Sequence, residues 1–226
     1  MHLHHAKSGE VSSKATQGYI INLGWRYDLI LWWYNFQSRG KWQELLPRIA
    51  DLAQFQPGET VLDVGCGTGT STIIAKQRVG AAGRVSGIDP GPKQIARARS
   101  KAGKTGLSID FQIGVVEQLA FPDHSFDVIL STFVMHAVPD DLKRRGLAEM
   151  ARVLKPGGRV LIVDFKRPEE HENQAGRPVH TGPWNSGVQD QTALMKEAGF
   201  SRVESGEIET GSTKLPEIGF ARARKS

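Results

Sequence analysis

Residues 61–70 read Val61-Leu62-Asp63-Val64-Gly65-Cys66-Gly67-Thr68-Gly69-Thr70. An apolar run ends in three glycines spaced two apart, and a helical pattern opens directly behind them. A buried strand, a glycine turn and a helix in that order lay backbone N–H groups against a ligand. Gly-x-Gly alone is shared by many nucleotide-binding folds, but two details narrow it. The dinucleotide fingerprint places a third glycine at the sixth position counted from Gly65, and Thr70 stands there. Asp63 lies two residues before Gly65, where its charge would repel a pyrophosphate and suit an ammonium or sulfonium. The charge pattern favours an amino-acid-bearing cofactor over a dinucleotide.

Outward from this turn, short apolar runs alternate with helical stretches. Strands are expected at 60–64, 84–88, 109–113, 127–131 and 159–164, with helices at 69–79, 92–104 and 140–154. That alternation predicts an α/β fold, a doubly wound Rossmann-like sheet that is mostly parallel. Past Asp164 comes a long loop holding Pro168, Gly176, Pro178, Gly182 and Pro183. A helix at 189–198 and strand-like runs at 202–208 and 218–222 follow, which predicts an antiparallel C-terminal edge. Upstream, Leu45, Leu46, Ile49 and Leu52 have helical spacing, and Gln56-Pro57-Gly58 stops that helix.

Residues 19–42 are a different material, holding Trp25, Trp32, Trp33 and Trp42, four of the five tryptophans. The run 29–36 is apolar almost all round but too short to span a bilayer. A helical cap or lid buried against the sheet domain is the expectation. Residues 1–18 read as a flexible N-terminus, which leaves 43–226 as the ligand-binding domain.

Composition bounds the function. The 226 residues are 39% hydrophobic and 23% charged, which suits a globule with a core. One cysteine rules out an internal disulfide and a thiolate metal site, and fits a reducing, cytoplasmic setting. The start, Met1-His2-Leu3-His4-His5, lacks the apolar stretch of an export signal. The net charge is +5, but the basic residues are scattered as solvated helix faces without interleaved aromatics. Nucleic acid is therefore disfavoured as a partner, and no metal is assigned.

The second strand ends Ile88-Asp89-Pro90, twenty residues past Gly69. A carboxylate there can accept both hydroxyls of a ribose, and its competing role is a helix N-cap ahead of Pro92. With these motifs in order, and with Leu119-Ala120-Phe121-Pro122-Asp123-His124-Ser125-Phe126-Asp127 and Leu154-Lys155-Pro156-Gly157-Gly158-Arg159 behind them, the sequence resembles a known family. It is similar to the class I S-adenosylmethionine-dependent methyltransferases, small-molecule branch, over 27–165. Within that branch it looks like the ubiquinone/menaquinone biosynthesis C-methyltransferases.

The resemblance implies S-adenosylmethionine as cofactor and a small, hydrophobic or aromatic methyl acceptor. It places Asp63, Gly65, Cys66 and Gly67 at the methionine moiety, Asp89 at the ribose and Pro90 against the adenine. Family members carry Asp two residues before Glu117; Val115 stands here, so Glu117 or backbone at Val116 reads the adenine instead. Ser131 ends the fourth strand in the methyl-transfer zone. The run Ser131-Thr132-Phe133-Val134 is not the Asp/Asn-Pro-Pro-aromatic motif of DNA amino-methylating enzymes. Tyr27-Asp28 resembles the lid entrance, so Tyr27 would reach the cofactor.

His136, five residues past Ser131, is the first candidate base, and His180 in the long loop is the second. Cys66 has no base at a useful spacing and reads as a space-filler, and a single cysteine speaks against methylation of arsenite. Two rival readings remain: a lipid methyltransferase with its aromatic helix in peripheral contact with a membrane, and a non-catalytic cofactor-binding module. The module would be marked by damage to the glycine turn or Asp89, and both are intact.

Overall fold

Strand β1 (Thr60–Val64) is enclosed along nearly its whole length, as a strand covered on both faces must be. In the computed structural model, which describes residues 18–167 and 187–226, β1 lies inside a seven-stranded sheet. Its neighbours are β2 (Arg84–Asp89) and β4 (Phe126–Thr132), both parallel to it. Outward lie β3 (Asp110–Ile113) on one side and β5 (Leu154–Phe165) on the other. The edge is β6 (Phe200–Ile208) and β7 (Ile218–Lys225), antiparallel to each other, with β7 antiparallel to β5. The order β3-β2-β1-β4-β5-β7-β6 reverses direction between β1 and β4. A switch point of that kind opens a crevice at the carboxyl ends of the strands.

Helices close both faces. On one, Trp42, Leu45 and Ile49 of α2 (Lys41–Ala53) pack on Leu130, Leu161 and Val163. On the other, Leu142, Leu147 and Met150 of α5 (Asp140–Val153) pack on Leu62, Ile129 and Ile162. Helices α3 (Thr70–Val79) and α4 (Pro92–Thr105) complete the crossovers beside β1 and β2. Strand β5 starts at Leu154, five residues before the expected 159, because Leu154 already pairs with Phe126 before the register shifts. Helix α6 (Gln191–Glu197) is shorter than the expected 189–198. A tight 3-10 turn over Val188–Asp190 precedes it, closed by the Gly187 N–H donating to the Asp190 carboxylate at 3.0 Å.

The first helix, α1 (Trp25–Gln37), departs from expectation: none of its residues is buried. Trp25, Trp32, Trp33 and Phe36 are more than half exposed, and Trp32 and Phe36 stack on each other at 5.7 Å. Only a narrow edge meets the body, where Leu31 packs on the α2 core. Polar fastenings hold that edge instead. Asp28 accepts the Thr68 hydroxyl at 2.7 Å and the Arg97 guanidinium, while the Gly24 N–H donates to Gln94 Oε1 at 2.8 Å. Burial alone would raise the Asp28 pKa, but the Arg97 and Thr68 hydrogen bonds outweigh it and hold the carboxyl below its ordinary value. Trp42, by contrast, is buried in α2 and belongs to the sheet body. Among the described residues no helix is long and apolar enough to cross a membrane.

Asp28→Ala removes the main fastening of a helix that has little apolar burial. Amide exchange across Trp25–Gln37 should speed up several-fold, while exchange in β1 and β4 stays at the wild-type rate. Measurement by exchange mass spectrometry checks this; unchanged exchange in α1 would show that Asp28 does not hold it.

Candidate functional site

The crevice at the switch point is lined by the glycine turn, the ends of β2 and β4, and one edge of α1 and α2. The turn is tied down by two N–H groups, from Gly65 and Cys66, which both donate to the Ile88 carbonyl at 2.8 Å. Gly65 has φ +75°, and a Cβ there would stand 2.3 Å from a Val134 methyl, so no side chain fits. Gly67, φ +54°, likewise holds the left-handed conformation that favours glycine, and it lies on the crevice wall.

Asp89 lies on the crevice wall beside this turn. Its Oδ2 accepts the Gly67 N–H at 3.0 Å and its Oδ1 the Gly91 N–H at 2.8 Å. It does not cap α4, whose first turn has no side-chain cap. Burial pushes its pKa up to about 6 against the pull of those two N–H groups. Asp63 sits behind the turn, off the wall and fully enclosed. The Thr72 hydroxyl donates to Oδ2 at 2.6 Å, while Oδ1 has no hydrogen-bond partner among the described residues. Burial, opposed by Thr72 and helped by the Asp89 charge, takes its pKa to about 7. Two carboxyls are thus buried close together, with no cation in contact among the described residues.

Tyr27, Cys66, Pro90, Val115, Val116 and Glu117 all line the same crevice. Burial pushes the Cys66 thiol up, and the Asp63 and Asp89 charges push it further, so it is no thiolate. Burial likewise raises the Tyr27 phenol. Ser131 is not brought to the crevice. Alternation along β4 turns it inward, with no exposure and no partner for its Oγ among the described residues, while Thr132 faces the crevice. His180 lies outside the described residues.

His136 lines the crevice from a 3-10 turn over Met135–Ala137. Its Nδ1 lies 2.6 Å from Asp164 Oδ1, and its backbone N–H donates to Asp164 Oδ2 at 2.9 Å. Beside it runs a chain of rings: Trp42 to Phe133 at 5.2 Å, Phe133 to Phe165 at 5.1 Å, and Phe165 to His136 at 5.0 Å. Phe133 holds φ +58°, a strained conformation for a bulky residue and one that marks functional sites. Sequence reasoning missed Phe133, Trp42 and Asp164 as site residues. Asp164 carried a signal, since it ends an apolar strand just as Asp63 and Asp89 end or nearly end theirs. No cluster of three or more metal-ligating side chains occurs among the described residues.

Comparison with known proteins agrees with this geometry. Residues 61–158, the span from β1 to the start of β5, match the model of a methyltransferase domain family. It is 38% identical over 158 residues to an arsenite methyltransferase of Halobacterium salinarum, covering 68% of this chain and 40% of that protein. It is 35% identical over 144 residues to a demethylmenaquinone methyltransferase of Bacillus cytotoxicus, covering 63% of this chain and 59% of that one. The chain thus spans about half the length of these curated relatives. A SAM dependent methyltransferase from Aquifex aeolicus superposes with TM-score 0.62 at 25% identity, over 80% of this chain and 89% of its own. The [4+2]-cyclase SpnF shares the fold, with TM-score 0.69 at 21% identity over 81% of this chain and 80% of its own.

The two raised carboxyls make an unusual stability signature. Their folded pKa values lie above the unfolded ones, so the folded state binds protons more tightly. Their contribution is present below about pH 4 and is lost as pH rises through 6 and 7. Asp63→Asn should therefore flatten the decline in melting temperature of the ligand-free protein between pH 4.5 and 7.5. A variant curve parallel to wild type would contradict the assignment.

Proposed function

We propose that this chain transfers a methyl group from S-adenosylmethionine to a small, hydrophobic or aromatic acceptor. The observation that carries the reading is one crevice with two unlike halves. One half is acidic and glycine-rich, with Asp89 and the turn at Gly65, Cys66 and Gly67 on the wall and Asp63 enclosed behind it. The other is aromatic and ends in a histidine, with Trp42, Phe133 and His136. The residues fit the cofactor: the orphan Asp63 oxygen and the raised Asp89 both gain from a nearby cation and from ribose hydroxyls. When bound, S-adenosylmethionine supplies an electrophilic methyl carbon for in-line displacement.

Each residue's part follows from its place. Asp89 takes the ribose, Gly65, Cys66 and Gly67 present backbone to the amino-acid end, and Asp63 supplies negative potential from behind the turn. Pro90, Val115, Val116 and Glu117 flank the adenine, which apolar contact and backbone read in place of a carboxylate at Val115. Tyr27 reaches in from α1, and His136 takes a proton from the acceptor. Holding the partners aligned accounts for roughly 7–11 kcal/mol of barrier, and the aromatic wall does that for a flat acceptor. A hydroquinone-like acceptor fits, as the demethylmenaquinone relatives' name also suggests. Arsenite does not, because Cys66 is the one thiol and is buried. The exposed Trp25, Trp32, Trp33 and Phe36 favour, as a second element, peripheral contact with a membrane holding such acceptors. The single cysteine suits a cytoplasmic setting.

Calorimetry should give binding heat with S-adenosylhomocysteine and none with NADH. Asp89→Ala should weaken S-adenosylhomocysteine binding by about 10- to 100-fold, as expected for a lost charge-assisted hydrogen bond of roughly 1.5–3 kcal/mol. Tight NADH binding would sink the reading. So would an Asp89→Ala protein that melts earlier yet binds S-adenosylhomocysteine as wild type does.

A further inference from the structure

The geometry points to Asp164 as the positioning residue that makes His136 a base toward the methyl acceptor. The inference rests on the methyl-transfer reading and adds to it a residue outside the crevice wall. Asp164 ends the run Val160-Leu161-Ile162-Val163 of β5, and its side chain is 2% exposed. It accepts three hydrogen bonds, two from His136 and one from its own neighbour Phe165. Oδ1 takes the imidazole at 2.6 Å and the Phe165 N–H at 2.8 Å, and Oδ2 takes the His136 N–H at 2.9 Å. One carboxylate therefore grips both the backbone and the ring of His136.

That grip fixes more than position. An ionised carboxylate can only accept, so the imidazole nitrogen facing it must carry the proton. Nδ1–H is then the neutral tautomer, and Nε2 holds the lone pair. His136 lines the crevice whereas Asp164 does not, so the carboxylate acts on the acceptor only through the ring it holds. Phe165 packs on the imidazole at 5.0 Å with the planes 53° apart, which limits ring rotation. The other titratable groups lining the crevice are Tyr19, Tyr27, Cys66, Asp89 and Glu117.

The step this allows is a proton transfer. An acceptor O–H breaks, its proton goes to Nε2, and the electron pair stays on the acceptor, which becomes the better nucleophile. The imidazolium, stabilised by Asp164, later releases that proton to solvent. A positioned base of this kind is worth roughly 10²–10⁴-fold, and only for acceptors that must lose a proton.

The test compares wild type, Asp164→Asn and Asp164→Glu. Nitrogen-15 NMR of the labelled histidines in the full chain should show wild-type His136 as the Nδ1–H tautomer. In Asp164→Asn that preference should be lost. Turnover with S-adenosylmethionine and reduced 1,4-naphthoquinone should drop about 10²–10⁴-fold in kcat with KM changed little. The loss should shrink at high pH, where the acceptor ionises without help, and Asp164→Glu should recover part of it. S-adenosylhomocysteine affinity should stay within about threefold of wild type.

A wild-type Nε2–H tautomer would overturn the inference, and it can be read even if Asp164→Asn does not fold. An Asp164→Asn protein with unaltered tautomer, or a loss of turnover equal at every pH, would overturn it too. Failure of the parent reading looks different: wild type would neither bind S-adenosylhomocysteine nor methylate, whatever the tautomer of His136.

Discussion

Two carboxylates buried side by side, with no cation in contact, are the constraint on which the site depends. Asp63 and Asp89 occupy neighbouring strands, β1 and β2, that run parallel in register. Enclosing both groups costs stability, and the donors around them recover only part of it: Thr72 for Asp63, Gly67 and Gly91 for Asp89. The glycines follow from this crowding. Gly87 pairs with Asp63, and a Cβ there would meet the Phe111 ring at 2.9 Å and Cys66 at 3.1 Å. Gly65 is pressed by Val134 in the same way. The main chain bends around the acids, and stability is exchanged for an electronegative site poised for a cation.

The opposite half of the crevice is built on other terms. Its rings come from three elements distant in sequence: Trp42 from α2, Phe133 after β4, and Phe165 at the end of β5. They meet because all three lie at the carboxyl ends of the sheet on the α2 face. His136 stands where this ring chain joins the Asp164 carboxylate. Helix α1 is fastened beside the glycine turn by polar contacts to Thr68, Gln94 and Arg97 more than by apolar burial.

Much of this was legible in the sequence. Strands with continuous apolar runs and helices with clean spacing pointed to a mostly parallel sheet, since local pattern and burial agree there, whereas the order of the strands came only with the structure. The carboxylates at the ends of β1 and β2 were legible because charge at the end of an apolar run is conspicuous. The exposure of α1 was not, because an apolar sequence states what could be buried and not whether a partner surface exists. Nor was the inward turn of Ser131, which hangs on one step of strand alternation. The Asp164–His136 contact spans 28 residues and two elements, and only the assembled sheet shows it.

The central claim is that the buried acids are held partly protonated until a cationic cofactor arrives. Binding S-adenosylmethionine should then expel protons, since both carboxyls ionise beside the ligand. Calorimetric titration at pH 6.5 in two buffers of different ionisation enthalpy measures that release directly. The account predicts net release, approaching one proton per cofactor bound and fading by pH 9, with less release from Asp63→Asn. Zero release at pH 6.5, or net uptake, would contradict it.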